Sequence, residues 1–150
     1  MSIIALITWI AAAAGGLYLV SIWLIEYDKE FQAAAATRLP PLVLVSHITL
    51  AVGGLIVWAG YLVWDAQNLA WMAVMALVLA ATLGSVMAIR WIGVYRETQA
   101  MKLQAAIDAR PIGIGPPERN FPLPVVIGHG LFAVTTLALV LLTALGVGGS

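Results

Sequence analysis

Residues 39–64 read LPPLVLVSHITLAVGGLIVWAGYLVW, a run without an acidic or basic residue apart from one histidine. A helix needs about 20 apolar residues to cross the hydrocarbon core of a bilayer, so this run predicts a transmembrane helix over about 41–64. The run is continuously apolar rather than alternating, which favours a helix over a barrel strand. Three more uncharged runs predict three further helices, over about 3–26, 69–95 and 123–146.

The composition of the whole chain also indicates an integral membrane protein. Of 150 residues, 63% are hydrophobic and 9% are charged, and the mean hydropathy is +1.02. A soluble domain carries about 25% charged residues to wet its surface. Net charge is zero, which argues against nucleic-acid binding, and the absence of cysteine excludes disulfides, iron–sulfur clusters and thiolate zinc sites. We therefore expect one all-α transmembrane domain over 1–150, built as a four-helix bundle in the lipid bilayer.

The basic residues predict how the bundle is oriented. Lys29 and Arg38 lie between the first two helices. The other five lie at the end of the third helix or in the polar connection to the fourth, whose loop covers about 97–120: Arg90, Arg96, Lys102, Arg110 and Arg119. The positive-inside rule then predicts a bacterial plasma-membrane protein with both of these connections in the cytoplasm and both termini outside. The first half of the loop, 98–109, contains helix formers suited to lying along the membrane surface.

The second and fourth helices contain a repeat. Residues 39–55 align without a gap to 121–137 at an offset of 82. The identical positions are Pro40/Pro122, Val43/Val125, His47/His129, Ala51/Ala133, Val52/Val134 and Leu55/Leu137. At the same offset the other two helices show no comparable match beyond Trp9-Ile10 and Trp91-Ile92. The pattern suggests a parallel repeat of helices 1–2 and 3–4, which would place the two histidines at equal depth.

The histidine pair is the candidate functional site. His47 follows Arg38 by nine residues and His129 follows Arg119 by ten, so each lies roughly 14 Å along its helix from a basic boundary residue. An imidazole in hydrocarbon is costly without a partner and is a functional-site hypothesis by default. Two level histidines on facing helices suit axial ligation of one haem b iron per chain. The structural alternative is that each ring only bonds a neighbouring helix.

Three local features accompany this interpretation. Gly54 and Gly130 leave room for a flat ring, although glycine in membrane helices also permits close packing. Each imidazole can donate its second N–H to the carbonyl four residues earlier, at Val43 or Val125. Three arginines, Arg38, Arg90 and Arg119, are candidates to neutralise haem propionates, or serve only as topology signals.

With four helices, the matched pair His47 and His129 and cytoplasmic arginines, the chain resembles the small membrane b-type cytochromes. These include cytochrome b561-like proteins and the haem-bearing anchor subunits of respiratory complexes. The resemblance implies electron exchange with a quinone or a partner redox subunit. The chain departs from the b561 pattern, which uses four histidines for two haems, so one haem here would not by itself connect the two membrane faces.

Two other functions compete with this one, and two more are disfavoured. Met87 could join the histidines in a copper site, because imidazole and thioether ligands suit copper. The chain could instead be a non-enzymatic accessory or assembly subunit of a larger membrane complex or a homo-oligomer, which needs no site at all. A transporter is disfavoured because the helix centres carry no charge, and hydrolase chemistry because no acid completes a triad with Ser46 and His47.

Overall fold

A computed structural model describes residues 1–31, 37–113 and 115–147, with the backbone alone over 28–31. It contains four α-helices, α1 (Ser2–Phe31), α2 (Pro41–Trp64), α3 (Gln67–Asp108) and α4 (Leu123–Ala144), and a short 3-10 helix, Pro117–Asn120. All four α-helices are long and apolar enough to cross a membrane, as the sequence predicts. Lys29, used in the orientation argument, has its side chain outside the described part.

Prolines set where two of the helices begin. Pro40 and Pro122 occupy extended backbone just before α2 and α4, and each helix has proline in its first turn, where the missing N–H needs no partner. α2 ends at Asp65, a non-glycine residue in the left-handed region (φ 49°) whose N–H donates to the Tyr61 carbonyl. The turn to α3 is therefore only two residues long.

The helices form two close pairs. α2 packs along α3 and α1 packs along α4, whereas α1 and α2 touch least of all neighbouring helices. The first and last helices are thus partners despite their separation in sequence. Between the two pairs lies a narrow space, the inter-pair cleft, which contains both histidines.

The two ends of the bundle differ in what closes them. At one end, the terminal end, the Trp58 indole N–H donates to the Ser2 carbonyl at 3.3 Å and the Gln67 amide donates to the Ala144 carbonyl at 2.5 Å. At the other, the loop end, Thr37 and Arg38 contact Glu118 of the 3-10 helix. These contacts place the N-terminus and the α2–α3 turn at one end and both longer connections at the other.

The third helix is longer than the sequence predicts. A continuous helix of 42 residues spans about 63 Å, roughly twice the thickness of a hydrocarbon core. Residues 98–108 extend α3 in line instead of forming a separate surface helix. Within this extension Leu103 and Ile107 are exposed. Nothing in 95–98 breaks the helix, since the nearest glycine is Gly93 and the prolines begin at Pro111.

Candidate functional site

His47 lies in the second turn of α2 and reaches across to α3. Its Nδ1 lies 2.8 Å from the backbone carbonyl of Ala80. Its ring rests over Gly84, where an added Cβ would lie only 3.1 Å from His47 Cε1. The absent side chain of Gly84 is therefore what allows the ring to approach α3 so closely.

His129 is held in the same way by α1. Its Nδ1 lies 2.8 Å from the carbonyl of Ala12, and a Cβ at Gly16 would lie 3.0 Å from His129 Cε1. Gly15 also faces this side chain, because a Cβ added there would lie 3.4 Å from His129 Cβ. The predicted bonds to Val43 and Val125 are wrong. Each imidazole bonds the neighbouring helix because a glycine there brings a carbonyl within reach.

These bonds fix which ring nitrogen carries the proton. A carbonyl oxygen can only accept, so Nδ1–H is the donor in both rings. A neutral imidazole protonated at Nδ1 has its lone pair at Nε2, the atom available to bind a metal. The two ring centroids are 6.2 Å apart with an interplanar angle of 67°. The structure thus brings together the two histidines that the sequence predicted to be level.

The two halves of the site correspond residue by residue. Ala12 and Ala80, and likewise Gly16 and Gly84, differ by 68 positions, while the histidines they hold differ by 82. The same two offsets recur one level further toward the terminal end. There Gly54 of α2 faces Ala76 of α3, and Thr136 of α4 bonds Thr8 of α1 at 2.9 Å between hydroxyl oxygens. The α1–α3 correspondence is therefore at offset 68, and the Trp9/Trp91 match at 82 is a coincidence of apolar sequence.

The offset of 68 also relates two aromatic pairs near the loop end. Trp23 stacks on Tyr27 with centroids 4.5 Å apart, and Trp91 packs on Tyr95 at 5.3 Å. Each indole N–H donates to a connection, from Trp23 to the Thr37 hydroxyl and from Trp91 to the Glu118 carbonyl. Both connections are thus anchored by equivalent tryptophans.

A cavity of about 70 Å³ adjoins the histidines within the inter-pair cleft. Small side chains dominate its wall, which explains why the packed helices leave space there. Two of the lining residues, Ala13 and Ala81, are themselves exposed, so the cavity borders the outer surface of the bundle. The full lining is Trp9, Ala12, Ala13, His47, Ala51, Leu77, Ala80, Ala81, His129, Ala133 and Thr136.

The predicted arginines lie in different surroundings. The Arg38 guanidinium pairs with both carboxylate oxygens of Glu97 at 2.7 Å, and Arg90 Nη1 donates to the Arg38 carbonyl at 3.3 Å. The hydrogen bond and charge of Glu97 raise the pKa of Arg38, and the same hydrogen bond lowers the pKa of Glu97. Arg119 Nη1 instead donates to the Gly113 carbonyl in its own loop, at 2.7 Å. The structure therefore brings Arg38 and Arg90 together.

A buried carboxylate closes the loop end, and the sequence analysis did not identify it. The Glu118 side chain is fully buried and accepts hydrogen bonds from the Arg38 backbone N–H at 2.6 Å and the Thr37 hydroxyl at 2.9 Å. It thereby ties the α1–α2 connection to the α3–α4 connection. The available signal was an acidic residue just before a proline-bounded helix in the longest polar segment.

The two predicted glycines do not adjoin the imidazoles in the way that Gly16 and Gly84 do. A Cβ at Gly54 would lie 3.0 Å from Ala76 Cβ and 3.0 Å from the Trp9 ring, so Gly54 serves helix packing. A Cβ at Gly130 would meet nothing within 4 Å. Met87, the proposed thioether ligand, packs against the loop-end cluster of Trp23, Leu39 and Leu44. The described residues contain no group of three or more histidine, cysteine, aspartate or glutamate side chains able to hold a metal ion.

No protein-family model, curated protein or solved structure matches the chain. The fold and the site therefore define the class of protein without help from relatives. It is an all-helical protein whose four long helices are suited to crossing a membrane, with a pair of histidines in the cleft between two helix pairs.

Proposed function

We propose that the chain is a membrane b-type cytochrome that holds one haem by axial ligation through His47 and His129. It would transfer electrons to or from a quinone or a partner redox subunit. The observation that carries the proposal is the separation of the two imidazole centroids, 6.2 Å, with both Nδ1 atoms bonded to backbone carbonyls.

The donor atoms fit the group in number, spacing and protonation. Two imidazoles that share one metal ion, each through a bond of about 2 Å, have ring centres about 6 Å apart. The Ala12 and Ala80 carbonyls hold Nδ1–H in both rings, leaving the two Nε2 lone pairs as ligands. When bound, the haem would supply reversible one-electron chemistry at its iron. The chain supplies the two nitrogens, fixes their orientation and surrounds them with apolar side chains.

The space around the histidines also supports a flat ligand. The cavity alone is smaller than a porphyrin, so the two helix pairs must separate slightly along the inter-pair cleft for haem to bind. α1 and α2 make the weakest contacts between neighbouring helices, which lowers the cost of that separation. Of the arginines, Arg90 is best suited to a propionate, since it lies six residues, about 9 Å along α3, beyond Gly84.

We propose further that the segment containing α1 and α2 and the segment containing α3 and α4 are copies of one unit, related by an axis along the membrane normal. The two constant offsets, 68 in α1 and α3 and 82 in α2 and α4, support this relation. The loop end would face the cytoplasm of a bacterial cell. Because the chain has no cysteine, single variants such as Ser2→Cys and Gln104→Cys can be labelled in intact cells without background. An impermeant maleimide should label Ser2→Cys alone, and labelling of Gln104→Cys alone would reverse the orientation.

The test of haem binding is an optical spectrum of the detergent-purified protein from haem-replete cells, before and after dithionite, with a pyridine haemochrome assay. We expect sharp α and β bands on reduction and one haem b per chain. His47→Ala and His129→Ala should each abolish the low-spin spectrum without preventing membrane insertion. Thr49→Ala, an exposed position in α2 bonded to its own helix, is the matched control.

A colourless wild-type protein, or an unchanged spectrum in His129→Ala, would refute this assignment. Metal analysis of the colourless protein would then address copper bound by the same histidines. A protein that bound neither haem nor metal would favour the accessory-subunit function.

A further inference from the structure

The wall of the inter-pair cleft is nearly the same on its two sides. Five positions of the histidine site are identical in the two helix pairs, at offset 68 or 82, whereas Gly15, which faces His129, has Leu83 at the equivalent position. The counterparts are Ala12/Ala80, Ala13/Ala81, Gly16/Gly84, His47/His129 and Ala51/Ala133. A ligand in the cleft therefore meets chemically matched surfaces on opposite faces.

The match fails at one large side chain beside the cavity. Trp9 lines it from α1, whereas the equivalent position in α3 is Leu77. Both side chains are buried, so both are fixed parts of the wall. A smaller difference lies one helix turn beyond Ala51 and Ala133, where Thr136 lines the cavity and its counterpart Gly54 packs against Trp9.

Haem b is planar, but its two faces are not equivalent, because its vinyl groups are arranged asymmetrically around the ring. A site that differs on its two sides selects one face for each axial ligand. Here we infer that the site accepts haem with either face toward His47, and that Trp9 is the residue that sets the preference between the two orientations. This inference rests on the proposed function, since it concerns how the same histidine pair receives the same group.

The expected populations follow from the single large difference. With identical walls the two orientations would be equally populated. A single aromatic contact that is present on one side of the haem and absent on the other favours one orientation by up to about tenfold. The minor orientation should therefore remain detectable. Replacing Trp9 with leucine makes the two walls alike at this position and should bring the populations toward equality.

Proton NMR of the ferric protein in detergent measures these populations, because each orientation gives its own set of shifted haem-methyl signals. We expect two sets in the wild type, a ratio closer to one in Trp9→Leu, and an unchanged ratio in Trp71→Leu. The last variant makes the same substitution at an exposed position of α3 outside the cleft. Reconstitution with a haem whose two faces are equivalent should collapse the two sets into one.

The possible failures are distinct. A wild-type protein that binds haem but gives one set of signals overturns the inference and leaves the proposed function intact. A protein without haem in the pyridine haemochrome assay overturns both. If Trp9→Leu does not fold, the wild-type spectrum and the face-equivalent haem still decide whether both orientations occur. An unchanged ratio in a folded Trp9→Leu protein would remove Trp9 from its assigned role.

Discussion

A single methyl group added under either histidine should disturb the site by a predictable amount. In Gly16→Ala the new Cβ would lie 3.0 Å from His129 Cε1, and in Gly84→Ala it would lie 3.1 Å from His47 Cε1. Carbon atoms in comfortable contact are about 3.5–4.0 Å apart, so each ring must withdraw by several tenths of an ångström. The Nδ1–carbonyl distances, now 2.8 Å, would lengthen toward the limit of a hydrogen bond.

The cost of this clash can be separated from the general effect of glycine to alanine in a helix. Overpacking a tight contact costs about 1–3 kcal/mol, while alanine gains up to about 1 kcal/mol over glycine in helix propensity. Gly130→Ala makes the same change in α4 where nothing lies within 4 Å, so it carries the propensity gain alone. We therefore expect Gly16→Ala and Gly84→Ala to be less stable than Gly130→Ala by about 1–3 kcal/mol, and by similar amounts because the contacts are alike.

The assay is reversible unfolding in mixed micelles with increasing SDS, followed by circular dichroism and tryptophan fluorescence. Haem content and the reduced spectrum of the same samples report whether the imidazoles keep their positions. The reasoning is refuted if Gly16→Ala and Gly84→Ala both match Gly130→Ala within about 0.5 kcal/mol and bind haem as the wild type does.

Three further predictions concern the rest of the bundle. Glu118→Ala should lower the unfolding free energy by about 1–3 kcal/mol, because the part-buried Arg38 N–H and Thr37 hydroxyl both lose their acceptor. Glu118→Gln keeps one oxygen and should lose less, and equal stabilities of the wild type and both variants would contradict this role. Thr136→Val removes the hydroxyl contact to Thr8 and should lower the unfolding free energy by about 0.6 kcal/mol. The control is Thr135→Val, because the Thr135 hydroxyl donates to a carbonyl of its own helix. A larger loss in Thr135→Val than in Thr136→Val would count against the contact. Since Arg38 lowers the pKa of Glu97 in the folded protein, the pair stabilises the fold above the unfolded glutamate pKa of about 4.3 and loses this effect as the pH falls through the lower folded value. The unfolding free energies of the wild type and Glu97→Gln, measured at several pH values, should therefore become equal in acid. The difference at neutral pH should be small because the pair is exposed. A difference that grows as the pH falls would reverse the assigned sign.

The spans could be predicted from the sequence because hydropathy alone determines them. Each uncharged run is long enough to cross a bilayer, and each contains a helix in the structure. The equal level of His47 and His129 was also predictable, since proline and histidine are rare enough in this chain for their matches to carry weight. The end of α3 was not predictable from hydropathy, because residues 98–108 mix polar and apolar side chains, and most of them are good helix formers that simply continue the helix.

The partners of the histidines could not be found from the sequence. Ala12, Ala80, Gly16 and Gly84 are common residues in apolar helices, and their equivalence appears only at an offset of 68. This differs from the 82 of the histidine helices because α3 runs further past the site than α1 does and is followed by a longer connection. The choice between a carbonyl in the same helix and one in the neighbouring helix depends on how closely two helices pack. That distance is a property of the tertiary structure rather than of any local pattern.

The pairing of α1 with α4 has a consequence for the order of assembly. The carbonyl that holds His129 belongs to Ala12, and the hydroxyl of Thr8 contacts that of Thr136. Of the four helices, α1 is made first and therefore acquires these partners from α4, which is made last. α2 and α3, by contrast, meet as soon as their two-residue turn is complete. Contacts between distant segments form late because the intervening chain must first be ordered. The cleft, with walls from Ala133 and Thr136, consequently exists only once α4 has joined the other three helices.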